Sequence, residues 1–167
     1  MRQAGDTILV IGVGNVLLGD EGVGVHVARC LSAQQDALPP TVEVLDAGTA
    51  LFDVLGEMSR YRRVILVDAM RGDGPPGSIY RLDHGSGLAD DGGPRTAASL
   101  HQWGVVETLW AARTLGLEPP DLTLIGIEPA TLAPGTELSP EVERAVRRIV
   151  SILFEELGLG SDPSSPF

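Results

Sequence analysis

Three acids stand at the ends of apolar, β-branched runs. Glu21 follows the run Ile8-Leu9-Val10-Ile11 across a glycine-rich turn, Asp46 closes Thr41-Val42-Glu43-Val44-Leu45, and Asp68 closes Arg63-Val64-Ile65-Leu66-Val67. Uniformly apolar runs of this kind read as strands covered on both faces, as in a parallel sheet. Ligands of such sheets bind at the carboxyl edge, so the three acids are expected to project from one rim. His101, at the mouth of a helical pattern behind a long loop, is placed to close the group from above. Carboxylates with one imidazole make a nitrogen and oxygen site suited to Zn²⁺, Ni²⁺ or a similar divalent ion, and too sparse for a purely structural cage. An open coordination position would take water or substrate, with the bound water's pKa brought toward roughly 7.

Each residue also has a plainer use. Asp20 and Glu21 can cap a helix N-terminus and interact with its dipole. Asp68 can bond turn amides, His101 can pack at a helix start, and Asp46 can form an Asx turn with Gly48 and Thr49. A dinucleotide fingerprint competes for Gly12-Val13-Gly14, but Leu17 stands where the third glycine belongs. The two carboxylates would also repel a pyrophosphate, so the turn suits a cation or acid–base work better. His26 falls on the expected solvent face of the first helix, and His84 lies in a loop with no recognisable partner. Neither HExxH nor GxSxG occurs, which removes the zincin and serine-hydrolase templates.

The elements that must position these residues follow from periodicity. Apolar residues at helical spacing run from Val23 to Leu31, a second amphipathic segment covers 51–58, and a third helix carries Val105, Leu109 and Ala112 behind Ser99 as N-cap. A strand over 78–82 follows 68–69 too closely for a parallel crossover, so it is expected to run antiparallel at an edge. Residues 84–100 form a long aperiodic loop, 121–128 the fifth strand, and Ser139-Pro140-Glu141 opens a last helix with a cap and a proline at its first position. The predicted fold is three-layer α/β: a mostly parallel, twisted five-stranded sheet with helices on both faces and one antiparallel edge strand. Residues 1–157 form one domain, and 158–167 a mobile tail.

Composition narrows the function classes. A chain of 167 residues can bury roughly 70% of its unfolded surface in one domain. Its net charge of −11, with arginine as the only basic residue type apart from histidine, opposes nucleic-acid binding. No apolar stretch approaches the roughly 18 residues of a membrane span, and the start lacks a signal-peptide hydrophobic segment, so a cytoplasmic protein is expected. A single cysteine, Cys30, excludes an internal disulfide and a thiolate metal cluster. Its spacing from Val23, Val27 and Leu31 makes it a small core residue.

The stretch from Gly12 to Gly24, Gly12-Val13-Gly14-Asn15-Val16-Leu17-Leu18-Gly19-Asp20-Glu21-Gly22-Val23-Gly24, resembles the N-terminal signature of the nickel-iron hydrogenase maturation endopeptidases. Leu45-Asp46-Ala47-Gly48-Thr49, Ile65-Leu66-Val67-Asp68-Ala69, Ser99-Leu100-His101-Gln102, Gly126-Ile127-Glu128-Pro129 and Leu138-Ser139-Pro140-Glu141-Val142 fall in the same order as that family's motifs. The resemblance spans about residues 7–150; Ala47 and Leu51 depart from it, standing where glycines are common. It implies a peptidase of aspartic or metal-dependent type. Such an enzyme removes the C-terminal extension of a [NiFe] hydrogenase large-subunit precursor once nickel is loaded. By the same resemblance Glu21, Asp68 and His101 take the nickel-binding positions, with nickel presented by the precursor or zinc in the same site. Asp46 takes that of a further acid associated with activity, orienting the site or acting as general base. The protein is expected to act as a monomer rather than a stable homo-oligomer. The rival from another class is a noncatalytic metal-sensing chaperone of the large subunit.

Overall fold

The computed structural model describes residues 7–83 and 102–158. Ser99 and His101 therefore lie outside the described residues, as do the whole of the long loop expected over 84–100 and residues 159–167 of the expected tail. In chain order the elements are β1 (Ile8–Val13), α1 (Val23–Ser32), β2 (Val42–Gly48), α2 (Leu55–Met58), β3 (Arg63–Ala69), β4 (Ile79–Asp83), α3 (Gln102–Thr114), β5 (Asp121–Ile127) and α4 (Pro140–Glu156). The five strands form one sheet in the order β2-β1-β3-β5-β4. β1 pairs in parallel with β2 and β3, β3 in parallel with β5, and β4 runs antiparallel at the edge, as its short connection demanded.

Strand alternation sorts the core into two layers. Val10, Ile65, Val67, Ile125 and Ile127 face α1 and α4, whose Val23, Val27, Leu31, Val142, Val146, Ile149 and Leu153 complete that cluster. Leu9, Ile11, Val64, Leu66, Leu122 and Leu124 face the other way, onto Leu55, Met58, Val105, Leu109 and Ala112 of α2 and α3. The middle stretches of the inner strands are almost wholly apolar because both faces are covered.

Close approach explains the glycines of the first turn. A Cβ on Gly24 would sit 2.0 Å from the carbonyl oxygen of Val67 and 2.4 Å from that of Val13, so α1 can press onto β1 and β3 only with glycine there. Gly14 has φ +139°, and a Cβ on it would meet the Glu21 carbonyl oxygen at 1.9 Å. These residues serve packing and a tight turn.

Local details differ from expectation for identifiable reasons. The segment over 51–58 is a 3₁₀ turn, Leu51–Val54, followed by the single helical turn α2. Strand β2 continues past Asp46 to Gly48, because Gly14 N–H donates to the Gly48 carbonyl at 2.8 Å and carries the pairing onward. Cys30 is half-buried against the α1–α4 layer. No described helix is long and apolar enough to cross a membrane.

Candidate active site

Glu21 and Asp68 converge. Asp68 is the penultimate residue of β3, on the face that Val64 and Leu66 share with α3. Glu21 lies in a 3₁₀ turn, Gly19–Gly22, wedged between the end of β1 and α1. Only 6% of Glu21 and 8% of Asp68 is exposed. Together they line a small open cleft with Ala69, Met70, Arg71, Pro129 and Leu132. It opens at the carboxyl edge of the parallel strands, where ligands bind in such sheets.

Burial pushes the Asp68 carboxyl well above the usual aspartate range; the charge of Glu21 pushes the same way, and the Ala69 N–H, donating to Asp68 Oδ1 at 2.8 Å, opposes both. The Glu21 charge beside Asp68 in a low-dielectric cleft disfavours the charged form of Asp68, which suits the cleft to a cation or to proton transfer. Among the described residues no group of three or more His, Cys, Asp and Glu side chains could hold a metal ion. A third ligand from His101 would come from outside the described residues. Helix α3 begins one position later, at Gln102, and a six-residue connection joins its far end to the start of β5 at Asp121. At 1.5 Å per residue its 13 residues span about 20 Å, close to the length of a seven-residue strand. Chain direction thus carries the first residue of α3 back toward the carboxyl edge.

Asp46 does not join this pair. In β2, Val42 and Val44 face the α1–α4 layer, so by strand alternation Asp46 does too, whereas Asp68 faces the opposite layer. Its Oδ2 accepts from Arg29 Nε of α1 at 3.1 Å, and its Oδ1 accepts the Gly48 N–H at 3.0 Å in the Asx geometry. Asp46 thus stands on the same rim as the other two acids, as expected, but on the opposite face of the sheet. His26, expected on a solvent face, is half-buried, and burial and then the Arg29 charge lower its pKa, with Asp46 opposing.

Two further buried acids frame the cleft. Asp20 has no exposed surface and caps no helix; its carboxylate accepts from Ala130 N at 2.8 Å, Thr131 N at 3.1 Å, Ser139 N at 2.7 Å and Ser139 Oγ at 2.9 Å. Ser139 stands at the N-cap position of α4 as expected, with Pro140 next, but its hydroxyl is given to Asp20 instead of to the helix. Glu128, at the end of β5, accepts from Gly72 N at 2.6 Å and from the Tyr80 hydroxyl at 2.8 Å, which ties down the segment after Met70 and Arg71. No local sequence pattern announces either arrangement. The one available signal is an acid placed beside a turn that brings no donor of its own.

With this geometry in hand, the similarities to known proteins are informative. A family model described as hydrogenase maturation protease matches residues 25–156. The Hydrogenase 2 maturation protease of Escherichia coli is 38% identical over 143 residues, covering 83% of each chain. Hydrogenase expression/formation protein HupD of Rhodobacter capsulatus is 33% identical over 155 residues, covering 91% of this chain and 71% of that one. The structure of the hydrogenase maturating endopeptidase HybD from E. coli superposes with a TM-score of 0.73 at 34% identity, covering 91% of this chain and 94% of that one. The extent and level of identity and the shared fold agree, and the chain belongs to the hydrogenase maturation protease family, as a peptidase.

Proposed function

We propose that this peptidase removes the C-terminal extension of a [NiFe] hydrogenase large-subunit precursor and recognises the precursor by its bound nickel. The observation that carries the reading is the convergence of two buried carboxylates, Glu21 and Asp68, on one cleft at the carboxyl edge. Glu21, Asp68 and His101 are the side chains assigned to face the nickel that the substrate brings. Oxygen and imidazole donors suit a borderline divalent ion, nickel or, in the same position, zinc. An unloaded precursor would leave the two carboxylates without the charge that offsets their repulsion, which gives the enzyme its timing.

Docking of the metal places the scissile peptide against the cleft wall. The attacking water, made more acidic by the docked ion, gives its proton to a carboxylate beside the site. As water oxygen bonds to the carbonyl carbon, that proton passes to the leaving amine and the peptide C–N bond breaks. Asp46, held by Arg29 on the opposite layer, is assigned an orienting part. It fixes the turn at Gly48, whose carbonyl accepts from Gly14 at the start of the loop leading to Glu21.

The test is mass measurement of a purified nickel-loaded precursor before and after incubation. Loss of a C-terminal peptide identifies the protease, and an unchanged mass identifies the chaperone. Replacing Glu21, Asp68 or His101 by Ala is expected to slow cleavage by more than the roughly 10–100-fold typical of outer-shell groups around a metal. Undiminished cleavage by the three variants would reject the assignment.

A further inference from the structure

We propose that Asp20 is a positioning residue that clamps the 129–139 loop over the cleft and, through its bond to the next residue in the chain, holds Glu21 toward Asp68. The inference rests on the proteolytic reading above. Asp20 is fully buried and spends its carboxylate on four donors, all from residues 130, 131 and 139. Backbone bonds run beside it: Asp20 N–H to the Thr131 carbonyl at 3.2 Å, Gly19 N–H to the Gly135 carbonyl at 2.8 Å, and Gly135 N–H to the Leu17 carbonyl at 2.9 Å. The loop so held carries Pro129 and Leu132, which form the cleft wall along with Glu21 itself.

A buried carboxylate is costly to desolvate and is tolerated where donors satisfy it. Hydrogen bonds to an ionised acceptor are roughly twice as strong as neutral ones, so this group draws the Glu21 turn, the cleft wall and the first residue before α4 onto one point. An amide in its place keeps one oxygen but turns an NH₂ toward backbone N–H donors. The loop would then lose bonds while both core layers stay intact. Misplacement on the order of 1 Å at a reacting centre costs as much as a hundredfold in rate, which makes turnover the sensitive readout.

The experiment compares wild type, Asp20→Asn, Ser139→Ala and Ser139→Thr on nickel-loaded precursor, at a temperature where circular dichroism shows each folded. Amide hydrogen exchange is followed at Ala130, Thr131 and Ser139. Asp20→Asn is expected to lower kcat roughly 10–100-fold with KM little changed, and to speed exchange at 130 and 131 while β3 amides stay protected. Ser139→Ala is expected to lower kcat less, and Ser139→Thr, which keeps the hydroxyl, to restore it. If Asp20→Asn does not fold, the Ser139 pair decides. An active wild type with undiminished kcat in Asp20→Asn, or Ser139→Thr no better than Ser139→Ala, overturns the proposal. A wild type that leaves loaded precursor uncut overturns the proteolytic reading instead, and unchanged exchange at 130 and 131 overturns the clamp by itself.

Discussion

Replacing Asp68 by Asn is expected to make the protein more stable at neutral pH and unable to cleave. The folded chain raises the proton affinity of this carboxyl well above its ordinary value of 3.8, chiefly through burial, with Glu21 adding to the effect. The folded state therefore binds more protons than the unfolded state between the two values. Wild-type stability from this group is fully present below about 3.8 and declines as pH rises through the folded value. Asparagine fills nearly the same volume, keeps an oxygen for the Ala69 N–H and does not titrate. The advantage of the variant should thus be near zero in acid and grow with pH to a plateau. Each tenfold change in proton affinity is worth about 1.4 kcal/mol. For a chain of this size each kcal/mol moves Tm by roughly 2–4 °C. Urea unfolding of both proteins across pH, with the difference plotted against pH, is the assay. A flat difference, or one that increasingly favours wild type as pH rises, refutes the reasoning.

Other perturbations have equally definite outcomes. Tyr80→Phe removes the bond donated to Glu128 at 2.8 Å and the one accepted from Gly74 N–H at 2.9 Å; a loss of about 1–3 kcal/mol in urea unfolding is expected, and no loss would disprove the Glu128 tie. Gly24→Ala forces a Cβ to 2.0 Å from the Val67 carbonyl oxygen, so a loss beyond about 4 kcal/mol or failure to fold is expected, and a well-folded variant would contradict the described packing of α1. Glu156 is held down to about 2 from 4.5, first by its hydrogen bond with Arg81 and then by Arg63, so its contribution is present above 4.5 and lost as pH falls toward 2. The Tm deficit of Glu156→Gln should accordingly narrow on acidification, and a pH-independent deficit would contradict the pairing.

The fold was readable because its inner strands are short, apolar and spaced by helical patterns. The antiparallel edge strand followed from one connection too short for a crossover. Glu21 and Asp68 were readable for the same reason, since strand ends in a parallel sheet share a rim. The layer that Asp46 faces is not legible, because strand position gives the edge and not the face. Only the partners of Val42 and Val44 reveal which layer β2 presents its even-numbered residues to. The partial burial of His26 is not legible either, since helical spacing alone does not show which neighbours flank the stripe. The neighbourhood of Asp20 offers it a helix cap among its uses, yet its partners lie 110 to 119 residues along the chain. Glu128 likewise reaches back 48 and 56 residues. Local patterns carry no trace of contacts at that separation.

The most direct test of nickel-gated cleavage pairs one purified large-subunit precursor in two states, nickel-loaded and nickel-free, with the same preparation of this protein, and follows the intact mass over time. The account predicts loss of the C-terminal peptide from the loaded precursor alone, with that loss suppressed by Glu21→Ala. Equal cleavage of both states, or a loaded precursor whose mass never changes, would contradict it.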